Sequence, residues 1–122
     1  GNPLRKLETT QGAFDKDAVF EALDGSIRIV QGDVQPDEEF SSLGTREQIV
    51  VLLLGRRAAA DLDHLEEVGA PASWFSGFAG VSASRVRQLA GDMEFVTNSE
   101  EDTGYQLPGY RVQEAIEALE GD

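Results

Sequence analysis

At 122 residues the chain fits one domain with room for a real core, and 40% apolar with 27% charged residues is the balance of a globular protein rather than a disordered one. Its 23 acidic residues against 10 basic ones leave a net charge of -13, which argues against simple electrostatic attraction to nucleic acid or to an anionic membrane. The absence of cysteine excludes disulfides, thiolate chemistry and Cys-based zinc sites, and the longest apolar run, Ile49 to Leu54, is too short to span a bilayer, so a cytoplasmic protein with no membrane partner and no cofactor is expected.

Residues 1 to 13 are polar with few periodic apolar positions and read as a flexible arm. Asp15 is placed to cap a short helix carrying Ala18, Val19, Ala22 and Leu23 at helical spacing, which Asp24-Gly25 stops. From Ser26 to Gln31, Ile27 and Ile29 alternate with Arg28 and Val30, the pattern of a half-buried strand ending at Gly32-Asp33. The acidic stretch Asp33 to Ser42, containing Pro36 and Asp37-Glu38-Glu39, reads as a solvated loop or hinge.

Thr45 followed by Gln48 is a capping-box pattern directly ahead of an apolar run, so the longest helix should begin there. Ile49, Leu52, Leu53, Ala59, Ala60 and Leu62 form its apolar face, and its end is expected at about Leu65 or Glu67, before Gly69. Gly55 within it costs about 1 kcal/mol relative to Ala. Arg56 and Arg57 are read as solvent-facing partners of carboxylates such as Asp61, with phosphate binding as the alternative. A metal site would need Asp61, His64 and Glu67 to converge; His64 as an ordinary residue near a helix end explains the same pattern, and no metal is expected.

Pro71 suits the first position of the next helix, with Trp74, Phe75 and Phe78 packing on the long one rather than serving as a base-stacking platform. Past the turn Ala79-Gly80-Val81, a second short helix from Ser82 to Ala90 sends Val81, Val86 and Leu89 toward one core. Ser84, Arg87 and Gln88 then share the opposite face, with Arg85 at its edge. Met93 to Thr97 and Gly104 to Leu107 flank the turn-rich 98–103 segment as a β-hairpin. Val112, Ala115, Ile116 and Leu119 form the stripe of a last amphipathic helix behind Pro108-Gly109.

The order long helix, short helix, turn, second short helix, hairpin over Thr45 to Leu107 resembles the winged helix-turn-helix superfamily of archaeal and viral type. The resemblance implies an α+β fold, with residues 45–122 as the winged domain and residues 1–44 as an arm and helix-strand extension. It further implies a regulator of transcription that binds double-stranded DNA through Ser82, Ser84, Arg85, Arg87 and Gln88, with Thr97 to Thr103 as the wing. A protein-interaction module of the same fold that binds no DNA is the competing implication. The wing tip departs from the pattern, because Glu100, Glu101 and Asp102 would oppose phosphate. On the other side, no acidic residue occurs between Glu67 and Asp92, a gap that burial of the stretch would explain as well as function. A homodimer presenting paired half-sites, with Val112, Ala115, Ile116 and Leu119 as its seam or else turned into their own domain, would double the contacts.

No enzyme motif is present: the chain has no GxxxxGK[ST] loop, no GxSxG turn and no HExxH pair. The acid-rich, lysine-poor composition also resembles that of proteins from salt-loving archaea, with Lys6 and Lys16 as the only lysines. At 1 M salt exposed charges are screened over roughly 3 Å, so the negative total would hardly repel DNA at a distance.

Overall fold

In the computed structural model, residues 16–30, 33–61, 69–99 and 104–120 are described. In chain order they form α1 (Lys16–Leu23), β1 (Ile27–Val30), β2 (Asp33–Pro36), a 3-10 turn (Phe40–Ser42), α2 (Thr45–Asp61), α3 (Ala72–Ala79), α4 (Ala83–Gly91), β3 (Thr97–Ser99), β4 (Gly104–Gln106), a second 3-10 turn (Gly109–Arg111) and α5 (Val112–Glu120). The architecture is α+β.

Helix α2 is the axis of this arrangement. Every side chain from Ile49 to Leu54 is at most 2% exposed, and a helix apolar on all sides must be surrounded. Helices α1, α3, α4 and α5 and both strands of the β1–β2 hairpin pack around it. One apolar cluster joins Val19, Leu23, Ile27, Val34 and Phe40 to Phe75, Val86, Phe95, Leu107 and Ile116, so the residues before Thr45 share one core with those after it. Gly55 marks the closest approach: a Cβ there would stand 3.1 Å from both Ile27 Cγ2 and Val34 Cγ1, which is why the hairpin can lie on the helix at this point.

The acidic connector expected from Asp33 onward contains a strand instead. β2 pairs antiparallel with β1 in the register Ile27↔Pro36 to Val30↔Asp33, and its one buried side chain is Val34. A single inward apolar residue among acids carries no periodic signal, and Pro36 is tolerated because it ends an edge strand. The hairpin is tied back by Asp37 N donating to Ser26 O at 2.9 Å and Glu39 N donating to Gly25 O at 2.8 Å.

Helix α2 begins at Thr45 as expected, but the capping residue is the one before it. Gly44 occupies the cap position: its carbonyl accepts from Gln48 N at 2.9 Å and its N–H donates to Glu47 Oε1 at 3.3 Å. Gln48 is turned inward, 8% exposed, and its Nε2 donates to Phe40 O at 2.9 Å. The helix is described to Asp61; the expected continuation through Leu62 and the residues Asp63, His64 and Glu67 lie outside the described residues, as do the arm, Asp15 and the wing tip Glu100, Glu101 and Asp102. Among the described residues no group of metal-ligating side chains comes together, and no helix is long and apolar enough to cross a membrane.

Pro71 caps α3 rather than opening it, with ψ 160° and its carbonyl accepting from Trp74 N at 3.0 Å. Phe75 is fully buried, and Trp74 meets Phe75 and Phe78 edge-on at centroid distances of 4.9 Å, so the aromatics are core. The expected strand Met93 to Thr97 is shorter, beginning only at Thr97. Before it, Met93 N bonds Ala90 O and Val96 N bonds Met93 O, a turn that plugs Met93 and Phe95 into the core. β3 and β4 pair from Thr97↔Gln106 to Ser99↔Gly104, and Ala70 adds a third chain segment through reciprocal 2.9 Å bonds with Tyr105.

The stripe expected as a possible dimer seam is used within the chain. Val112, Ala115 and Ile116 are at most 5% exposed because α5 packs on α1 and α2, and Leu119 is half-buried. Most of the stripe is therefore turned into its own chain, and Leu119 alone of the four keeps partial exposure.

Candidate nucleic-acid interface

Helix α4 is placed by a short reversal. Gly80 adopts the left-handed conformation at φ 73° and bonds Ser76 O through its N–H at 3.0 Å, ending α3. Ser82 then caps α4, its Oγ accepting from Arg85 N at 3.1 Å. This starts the helix at Ala83, one residue after the expected position, and gives Ser82 a structural duty that still leaves its hydroxyl proton available at an exposed position.

Val86 and Ala90 anchor α4 in the core, while Leu89 and Val81 are partly buried against it. The opposite side carries Ser84, Arg85, Arg87 and Gln88, all exposed, so the five residues singled out on sequence lie on one short cap-and-helix unit. Arg85 Nη1 donates to Gln88 Oε1 at 2.9 Å, which orders two of these side chains before any ligand arrives. A Cβ at Gly77, Gly80 or Gly91 would meet nothing within 4 Å. The surface beside the turn and at the end of α4 is therefore low and open, a feature that the spaced small residues encode but that periodicity does not reveal.

The acid-free gap in the sequence is not explained by burial. Ten residues from Gly69 to Gly91 are exposed, among them Ser73, Ser84, Arg87 and Gln88, and none is acidic. Elsewhere the described surface is crowded with exposed carboxylates, including Glu21, Asp24, Asp33, Glu38, Glu94 and Glu117.

Of the other described arginines, Arg46 at the start of α2 is also exposed with no ion pair among the described residues, whereas Arg28, Arg56 and Arg111 have local partners. Arg28 approaches Asp37 at 4.0 Å, and Arg111 meets Glu114 at 3.2 Å. The Arg111 pKa is raised first by its hydrogen bond to Tyr110 and then by the Glu114 carboxylate. Arg56, expected to face solvent, is instead half-buried: its Nη2 donates to Gly69 O at 2.9 Å and its guanidinium lies 4.6 Å from the Trp74 ring centroid. That contact ties α2 to the start of α3 and removes Arg56 from any phosphate role, while Arg57 is half-buried beside it in sequence. No carboxylate of the described residues pairs with Arg85 or Arg87. Arranged this way, the face can offer planar guanidinium donors to guanine or phosphate, an amide to adenine, and hydroxyls to the backbone.

The chain matches no protein-family model, no curated protein and no solved structure.

Proposed function

We propose that the protein binds double-stranded DNA as a winged helix-turn-helix regulator, with α4 as the helix entering the major groove. The observation that carries this reading is the exposed, acid-free α4 face, bearing two arginines that no described carboxylate neutralises, on a chain of net charge -13. The element order supports the winged form: Ala70 pairs with β4 between the long helix and the two short ones, so three chain segments flank the helix-turn-helix. Arg87 reads a base or clamps phosphate, Ser84 and Gln88 flank it, and Arg85 is steered by Gln88.

Replacing Arg87 by Ala tests the assignment. The variant should melt with the parent, because the side chain is exposed, yet bind duplex DNA about 1 to 3 kcal/mol more weakly if Arg87 reads a base. A loss shared by all sequences, with a shallower salt slope, identifies a phosphate contact instead. A variant that binds as the parent does removes Arg87 from the interface.

Two companion proposals rest on the same surface. Paired half-sites call for a homodimer through a surface other than the inward α5 stripe, and sedimentation showing only monomer at high protein concentration would reject it. The exposed carboxylates repel one another when unscreened, so the melting temperature should climb as potassium chloride rises; a flat response from low to molar salt would end the halophilic reading.

A further inference from the structure

A cleft of about 440 Å³ opens between α1, α2 and α5, away from the acid-free face, and its volume is within the range of small-molecule sites. Its walls are aliphatic, from Ala22, Val51, Ile116 and Leu119. The polar lining is Glu21, Glu47, Ser26 and Gln113: two carboxylates that only accept hydrogen bonds, beside a hydroxyl and an amide that can each donate as well as accept. Glu21 on α1 is exposed, and Glu47 on α2 is half-buried with one carboxylate oxygen engaged by the Gly44 amide at 3.3 Å, leaving the other oxygen for a ligand.

Ser26 is the independent observation. It lines the cleft yet is only 7% exposed, and its backbone N–H and carbonyl are both used, by Leu23 O and Asp37 N at 2.9 Å each. Among the described residues no hydrogen bond engages its hydroxyl, which keeps accessible surface in an otherwise buried residue and is open to water or a ligand at the cleft. An apolar wall combined with two carboxylates and an unengaged hydroxyl suits a ligand with a hydrocarbon body and a protonated nitrogen. An anion would face both carboxylates there.

We propose that this cleft binds a small amphiphilic amine, with the alkyl or aryl body against Val51, Ile116 and Leu119 and the ammonium group shared by Glu21, Glu47 and Ser26. The proposal is independent of DNA binding. It is tested on the full chain in potassium chloride by calorimetric titration with hexylammonium, alongside hexanoate, which reverses the charge, and methylammonium, which lacks the body. Amide chemical shifts are followed in parallel.

Saturable binding of one hexylammonium, at least about tenfold tighter than either control and shifting amides of α1, α2 and α5, is expected. The double variant Glu21→Gln/Glu47→Gln should weaken hexylammonium about tenfold. Ala22→Leu, which fills the cleft from a partly exposed helix position, should abolish binding while circular dichroism reports an intact fold. Equal binding of hexylammonium and methylammonium would reveal attraction to the acidic surface alone and overturn the site, as would equal binding of hexanoate, no saturable binding, or folded variants that bind like the parent.

Discussion

Truncation of Leu53 to Ala is expected to destabilise the protein by about 2 to 5 kcal/mol, the range for deleting three buried carbons where the surroundings relax only in part. Leu53 is 1% exposed in the middle of α2, with helices on several sides and the β1–β2 hairpin on another. Because the neighbours are rigid elements that also pack on one another, the site cannot collapse freely and the loss should fall in the upper half of that range. Denaturant unfolding at constant salt reads it directly. A change below about half a kcal/mol would place Leu53 outside the core and with it the central position of α2.

Gly104→Val is expected to cost a similar amount, about 2 to 5 kcal/mol, from two independent causes. Gly104 has φ 113°, a conformation that strains any residue with a β-branched side chain, and its Cβ would stand 2.7 Å from Ala70 O. That oxygen accepts the Tyr105 N–H, so the added atoms push apart the segment that joins the helix pair to the hairpin. The accompanying signature should be loss of exchange protection at the Tyr105 amide. A variant as stable as the parent, with that amide still protected, would show that Ala70 and β4 are not held face to face.

How much of the fold is legible in the sequence depends on how local each determinant is. The helical spacing in α4 and α5, and the inward direction of Val86, Val112, Ala115 and Ile116, can be read from periodicity because each helix repeats its own signal. The exposed set Ser84, Arg85, Arg87 and Gln88 comes with it, as the complement of the buried face. The pairing of Ala70 with Tyr105 leaves no local trace, since it joins residues far apart in the chain. β2 is hidden because Val34 alone marks its inner side, and Met93 to Phe95 carry strand-like residues that serve as plugs in a turn.

Partner choice is the other point at which sequence and structure part. Helical spacing alone turns Arg56 toward solvent, whereas it is half-buried and meets Gly69 O and the Trp74 ring, both from the following segment. The capping-box pattern likewise assigns Gln48 to the helix cap, but burial beside the Phe40 carbonyl offers it a bond worth more than one in water.

The central claim is that the α4 face binds duplex DNA, and the most direct measurement is the affinity of the unmodified protein for a pool of duplexes as potassium chloride is raised. The account predicts binding whose logarithmic affinity falls linearly with the logarithm of salt, at a slope set by the phosphates contacted. Binding to no duplex at any salt concentration would contradict it and transfer the exposed face to a protein partner.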